Sequence, residues 1–314
     1  MEYQANPMAR SLRRAGLSAH HQKAGLNLGI VFLGRRANQE RVAAMRTLAE
    51  ARGHRLIDFN TGDWKSRAAL QRTWQAQGID GLFINSHDFV ADPVSTDLRT
   101  RADWSRYAVI KLGNGLPELE LNRVRTSVFS QMMTTYERVL AAGFRRVLFI
   151  FHGSTSPIDD QMRLGAVLAA QATAAERGAQ VDHWQLVGAE TTWATLNSKP
   201  YQDELQARLR AFAPDAIIGF GPIIHSWLNN SEPSISGKIA YASPVVPPKD
   251  QGKVAGTLED FVGEEFAAGL HMMEDQLSRG QRGLPPLVQE HTVPVRWMPG
   301  ASLTPDRRNN HLSA

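Results

Sequence analysis

Apolar runs and segments of helical periodicity alternate along this 314-residue chain, from residue 25 almost to its end. The runs at residues 25–33, 79–85 and 107–112 are largely apolar and do not alternate with polar residues, which is typical of strands covered on both faces. Residues 54–60, with Leu56, Ile57 and Phe59, are a further predicted strand. Between them, residues 38–52 and 66–77 place apolar side chains three or four positions apart, which predicts helices. This half of the chain therefore predicts a parallel sheet with helices packed on it.

The same alternation then repeats in the second half of the chain. It predicts strands at residues 146–151, 181–187, 215–220, 238–242 and 292–297, helices at 129–142, 159–177, 201–212 and 261–279, and loops at 189–199 and 243–253. Two successive sets of similar size predict an α/β protein with two doubly wound parallel-sheet lobes and a central cleft. In such sheets a ligand binds beyond the carboxyl ends of the strands, and two facing lobes close by a hinge.

Composition narrows the class of protein. Hydrophobic residues make up 42% of the chain and charged residues 21%, as in ordinary globular proteins. No apolar run is long enough to cross a bilayer and no secretory signal is present, so we expect a cytoplasmic protein without a membrane partner. The absence of cysteine excludes disulfides and thiolate metal sites. No catalytic, metal-binding or phosphate-loop motif occurs, so we expect neither an enzyme nor a cofactor.

The positive charge is concentrated at the N-terminus, where residues 1–26 carry +3 of the net +4. Asn6 and Pro7 predict the start of a short helix, which would carry Arg10 and Arg13 and expose Leu12. A basic helix with an exposed leucine fits DNA binding, with arginines on phosphates and the leucine wedged between base steps. The alternative is a frayed basic terminus.

Residues 3–14 resemble the hinge helix of the lactose-repressor (LacI) family of transcription regulators, and the resemblance extends to about Leu303. It is carried by Gly53-His54-Arg55-Leu56, Gly78-Ile79-Asp80-Gly81-Leu82-Phe83, residues 139–150, Pro214-Asp215-Ala216-Ile217-Ile218 and Glu259-Asp260-Phe261. The resemblance implies a core that binds a sugar or a related small polar effector, forms a homodimer and controls operator DNA through the hinge. The family's DNA-binding headpiece would precede Tyr3, and we expect it to be absent from this chain.

The alternation and the resemblance together suggest a domain organisation. Residues 1–26 are expected to form the hinge helix and linker, 27–145 with 256–283 the first lobe, 146–255 with 284–303 the second lobe, and 304–314 a tail. A solute-binding or sensor protein of the same fold, without a DNA role, is the alternative.

Arg163 is the first ligand-binding candidate, because it stands where the family has an arginine that binds ligand hydroxyls. Its guanidinium group suits diols and carboxylates. The alternative role is a salt bridge between lobes, with Asp159 or Asp160. The resemblance also places Phe261 at the border of the site, although an aromatic residue is slightly more typical of a core.

Polar residues that follow predicted strands are further candidates. Arg35, Asn60, Asn85 and Asn114 could bind a polar ligand, or they could belong to solvated loops and turns. Where sugar-binding family members carry acidic or amide acceptors, this chain has Gly221 and Ser243, each followed by proline. The resemblance therefore implies a ligand site that departs from ordinary hexose recognition.

Overall fold

A computed structural model describes residues 25–34, 38–87, 92–152, 157–186, 198–220, 222–230, 239–258 and 261–304. The described chain forms two compact units. The first contains the residues up to Arg125 together with Phe261–Val293, and the second contains those from Thr126 to residue 258 together with those from Pro294 onwards. Each unit is built on one six-stranded sheet.

The strands of the first unit are β1 (Asn27–Phe32), β2 (Arg55–Asn60), β3 (Gly81–Asn85), β4 (Ala108–Leu112), β5 (Asn122–Thr126) and β11 (Glu290–Val293). Their order in the sheet is β11-β5-β4-β3-β1-β2, and β1 to β5 are all parallel to one another. Its helices are α1 (Gln39–Glu50), α2 (Arg67–Ala76), α3 (Pro93–Arg101) and α8 (Ala267–Ser278), the last preceded by a π-helical turn, Phe261–Phe266.

Helices cover both faces of this sheet because its strands are apolar on both sides. Ile30 of β1 packs in one cluster with Val42 of α1 and Leu270 of α8. The next residue, Val31, points to the other face and packs with the cluster that contains Trp74 of α2 and Leu98 of α3.

The strands of the second unit are β6 (Arg146–His152), β7 (Gln180–Leu186), β8 (Ala216–Gly219), β9 (Ala240–Val246), β10 (Ala255–Leu258) and β12 (Trp297–Met298). Their order in the sheet is β12-β10-β9-β8-β6-β7; β12 pairs antiparallel with β10, and the other pairs are parallel. Its helices are α4 (Val128–Ala141), α5 (Pro157–Ala174), α6 (Lys199–Phe212) and α7 (Pro222–Asn230). Phe149 of β6 packs towards α4 and α5, and Ile150 packs towards α6 and α7.

The structure confirms the predicted fold class: α/β, with two mostly parallel sheets and flanking helices. The boundary between the two units lies after Arg125 and not after residue 145 as predicted, because α4 belongs to the second unit. Met132 and Tyr136 of that helix are fully buried against Phe149 of β6. Residues 284–293 belong to the first unit, where β11 extends the first sheet.

Two further sequence predictions are corrected. The predicted strand 292–297 is two strands, β11 and β12, which lie in different sheets. The predicted loop 243–253 begins inside a strand, because β9 continues to Val246. Strands β5 and β10 and helix α3 were not predicted.

Among the described helices, none combines the length and apolar character that a membrane span requires.

Candidate functional site

The carboxyl ends of the first sheet's parallel strands lie in register. Phe32, the last residue of β1, is opposite Asn60 of β2 on one side and Asn85 of β3 on the other. Asn85 is in turn opposite Leu112, the last residue of β4, and Asn114 follows two positions later. Because neighbouring strands are about 4.8 Å apart, this edge carries all three predicted asparagines within a few strand widths.

Each of these asparagines uses its side-chain oxygen as a hydrogen-bond acceptor. The Asn60 oxygen accepts from the Gly62 amide at 3.0 Å, and the Asn85 oxygen accepts from the His87 amide at 3.4 Å. The buried Asn114 accepts from Nη1 of Arg125 at 3.0 Å. Turn formation thus accounts for the Asn60 oxygen, whereas Asn114 is held by a cationic side chain at the carboxyl edge.

Arg125 belongs to an ion-pair network that the sequence did not reveal. Its Nε lies 2.5 Å from Oε1 of Glu290 on β11, and Arg123 binds the other oxygen of the same carboxylate. Burial alone would raise the pKa of Glu290. The hydrogen bonds and charges of Arg125 and Arg123 outweigh this effect, so the pKa of Glu290 lies below its ordinary value. The network fixes the Arg125 guanidinium that holds Asn114.

A second pair at the same edge joins His87, two residues after β3, to Glu265 in the π-helical turn. His87 Nε2 lies 2.6 Å from Oε1 of Glu265, whose side chain is only 2% exposed. Gly113 has φ +95°, and a Cβ there would lie 2.9 Å from the His87 ring, so only glycine permits this close approach. The contact could not be predicted from the sequence, because the two residues are 178 positions apart.

A third polar link connects the ends of β1 and β2 to helix α3. The hydroxyl of fully buried Thr61 donates to Oδ2 of Asp92 at 2.6 Å and accepts from the Gly34 amide at 2.7 Å. Asp92 also caps α3 by accepting from the Ser95 amide. Burial raises the pKa of Asp92, but the Thr61 and Ser95 hydrogen bonds bring it below its ordinary value.

In the second unit, Arg163 of α5 lies against the carboxyl end of β8. Its guanidinium carbon is 4.3 Å from the ring centre of Phe220, the residue that follows β8, and its Nη1 is 2.9 Å from Oδ1 of Asp160. Arg163 is 8% exposed. Burial lowers its pKa, against the opposing charges of Asp159 and Asp160. The Asp160 contact is therefore an ion pair within one helix.

Ser243 lies in β9 next to this edge, and its hydroxyl is engaged locally. Ser243 is buried, and its Oγ donates to the Val245 carbonyl at 2.7 Å. Two residues earlier, the buried hydroxyl of Tyr241 donates to the Gly219 carbonyl at 2.8 Å, and burial raises its pKa. The structure therefore places Arg163, Phe220 and Ser243 in one unit, and Asn60, Asn85 and Asn114 in the other.

Several predicted site residues lie outside the described residues. They are Arg35 and Gly221 among the ligand candidates, and Asn6, Arg10, Leu12 and Arg13 among the DNA-binding candidates. Phe261 is described only as the first residue of the π-helical turn.

No protein-family model and no curated protein sequence matches the chain. Solved structures do match. A transcription regulator-like protein from Staphylococcus haemolyticus shares 13% identity with a TM-score of 0.59, over 90% of this chain and 99% of its own. The Cra dual regulator from Pseudomonas putida, in complex with fructose 1-phosphate, shares 16% identity with a TM-score of 0.56, over 87% of this chain and 98% of its own.

A LacI family transcriptional regulator from Enterococcus faecium with bound ribose is a third match. It shares 14% identity with a TM-score of 0.57, over 90% of this chain and 100% of its own. At these identities the likeness shows the fold: the chain has the periplasmic-binding-protein-like fold of these transcriptional regulators.

Proposed function

We propose that this chain is the effector-binding and dimerisation core of a ligand-responsive transcriptional regulator. The observation that carries the proposal is the seating of Arg163 on the Phe220 ring at the carboxyl end of β8. This is the edge at which doubly wound sheets bind ligands. The likeness of the whole described fold to solved regulators supports the same conclusion.

The chemistry around Arg163 suits a small polar metabolite such as a sugar. A guanidinium group offers donors in a fixed plane, the Asp160 carboxylate offers acceptors, and Phe220 offers an apolar face. We also propose Asn60, Asn85, Asn114, Ser243, Arg35, Gly221 and Phe261 as ligand-binding residues. Ribose and fructose 1-phosphate in two of the similar structures support this ligand class.

A thermal-shift panel of sugars, sugar acids, sugar phosphates and purines tests the proposal. A ligand at one hundred times its Kd should stabilise the protein by about 2.7 kcal/mol. Arg163→Ala should abolish the shift. Silence across the whole panel would contradict a sugar-like effector.

Arg208 provides a matched control. It also pairs with an acid on its own helix, Glu204 at 2.7 Å, and lies 5.1 Å over an aromatic ring, Trp184. Trp184 lies within β7, an outermost strand of the sheet, whereas Phe220 lies just beyond the carboxyl end of β8. Arg208→Ala should therefore keep the ligand shift that Arg163→Ala loses, and equal loss in both variants would refute a specific role for Arg163.

The DNA-binding part of the proposal concerns the N-terminal residues. We propose that Arg10 and Arg13 contact phosphates, that Leu12 wedges into the minor groove, and that Asn6 caps the helix. Replacing both arginines with alanine should reduce the slope of log affinity against log salt by about 2 for a labelled duplex. An unchanged slope would contradict phosphate contacts by this segment.

A solute-binding or sensor protein without a DNA role is the second candidate. It is favoured by a further match, described as a periplasmic binding protein/LacI transcriptional regulator from Alkaliphilus metalliredigens QYMF complexed with D-xylulofuranose, with 12% identity and a TM-score of 0.54. Leu12→Ala separates the two candidates. Weaker DNA binding supports the regulator, and unchanged DNA binding supports the sensor.

A further inference from the structure

The first unit exposes a short apolar connection between α8 and β11, residues 284–288. Leu284 is 60% exposed, Leu287 is 77% exposed and Val288 is 39% exposed. Clustered apolar side chains of this size on a surface mark an interaction site more often than scattered single ones. Pro285 and Pro286 lie between them and restrict the backbone, so little conformational entropy is lost when a partner docks.

The connection crosses the edge of the sheet at which the parallel strands begin. Just before it, the Gly283 amide donates to the carbonyl of Tyr107, the residue preceding β4, at 2.8 Å. Just after it, the Gln289 amide donates to Oδ1 of Asn122, the first residue of β5, at 2.8 Å. The apolar side chains therefore lie at the amino edge, away from the carboxyl edge with its polar residues.

The N-terminal segment of the chain enters the fold at the same amino edge. The amide of Asn27, the first residue of β1, donates to Oδ2 of Asp80 at 3.1 Å. Arg282, two positions before Leu284, donates from Nη1 to the carbonyl of the same Asp80 at 3.0 Å. Asp80 therefore contacts both the start of β1 and Arg282, which lies just before the apolar connection.

The length of the N-terminal chain is sufficient to reach this surface. The residues between Leu12 and Gly25 can span about 40 Å when extended. The sheet order puts four strand spacings between β1 and β11, which is about 19 Å. Residues 6–14 can therefore lie anywhere along the 284–288 connection without straining the chain.

We propose that the N-terminal segment, residues 6–14, docks on the 284–288 connection through Met8 and Leu12. A helix of this length is marginal by itself in water and gains stability from an apolar support. The connection supplies that support close to the point where the segment joins the body. The docking needs no DNA and no effector, so its failure would leave the proposed function standing.

Disulfide trapping tests the docking directly, because the chain has no cysteine of its own. The variant with Leu12→Cys and Leu287→Cys should form an intramolecular disulfide, since such bonds require Cα atoms within about 7 Å. The control combines Leu12→Cys with Asp63→Cys, an exposed position after β2 at the opposite, carboxyl edge. We expect the docking pair to close about tenfold faster than the control pair, through its higher effective concentration. Equal rates would overturn the proposal, and a product of doubled mass would assign the surface to a second copy of the chain instead.

Tryptic cleavage after Arg10, Arg13 and Arg14 gives an independent measurement. Proteolysis follows the population of the open form when opening is fast, so Leu287→Ser should accelerate cleavage. Leu168→Ser, at a leucine of α5 that is 52% exposed, should leave the rate unchanged. Equal cleavage in the unmodified chain and the Leu287→Ser variant would also overturn the proposal.

Discussion

Lys111 is a lysine buried in the central part of the first sheet, and its charge makes stability depend on pH. It is 1% exposed on β4, and its Nζ donates to the carbonyls of Leu116 at 2.7 Å and Leu119 at 3.1 Å. Burial lowers its pKa from 10.5 to about 8, with Arg123 acting in the same direction. The two hydrogen bonds hold the loop that carries Asn114.

The sign and size of the effect follow from proton binding. Between pH 8 and pH 10.5 the unfolded chain binds the lysine proton and the folded chain does not, so stability rises with pH. Below pH 8 both states bind the proton, and the full cost of burying the charge is present. With these two pKa values, raising the pH from 7 to 9.5 should recover about 2 kcal/mol of unfolding free energy.

Lys111→Met removes the titrating group and keeps most of the side-chain length. Urea unfolding of both proteins at pH 7, 8.5 and 9.5 should show the unmodified chain gaining about 2 kcal/mol relative to the variant across this range. Comparing the two cancels the titration of other groups. Lys199→Met, at a lysine whose side chain is 85% exposed, should show no such gain. A difference between Lys111→Met and the unmodified chain that stays constant with pH would refute the reasoning.

Two buried hydroxyl groups give further predictions. Thr61→Val leaves the Gly34 amide and Asp92 without their hydroxyl partner and should lower the unfolding free energy by about 1–3 kcal/mol, whereas Thr100→Val, on the exposed side of α3, should have little effect. The Thr61 hydrogen bond helps to lower the pKa of Asp92 in the folded chain, and the stabilisation that results is present above the pKa of the unfolded chain and is lost as the pH falls through the folded pKa. The difference in unfolding free energy between the unmodified chain and Thr61→Val should therefore shrink below about pH 4. A difference that is unchanged at pH 3 would contradict this link. Tyr241→Phe leaves the buried Gly219 carbonyl without its donor and should cost about 1–2 kcal/mol in urea unfolding; a loss no larger than in Tyr201→Phe would contradict it.

Strands β1, β3, β6 and β8 could be predicted from the sequence because each is built on consecutive apolar residues. Residues 146–151 and 215–220 were placed to within a residue or two of β6 and β8. Strand β5 was missed because its sequence, Asn-Arg-Val-Arg-Thr, alternates with charges whose partner is Glu290, far along the chain. Strand β10 was missed because four residues, Ala-Gly-Thr-Leu, are too short for a periodic signal.

The positions of some candidate residues could be predicted from the sequence, but their contacts could not. Strand ends could be located, so Asn60 and Asn85 were placed at the carboxyl edge of the sheet. The partners of these side chains depend on the tertiary fold: Phe220 beneath Arg163 and Glu265 beside His87 both come from other elements. The π-helical turn that buries Glu265 could not be distinguished from an ordinary helix by periodicity.

The most direct test of the central proposal measures the affinity of this chain for a labelled DNA duplex with and without a saturating ligand from the thermal-shift panel. If the chain is a ligand-responsive regulator, the ligand should change the DNA affinity, and DNA should change the ligand affinity by the same factor. The effect should disappear in Arg163→Ala and persist in Arg208→Ala. A DNA affinity that is identical with and without bound ligand would contradict the proposal and leave a sensor without a DNA role.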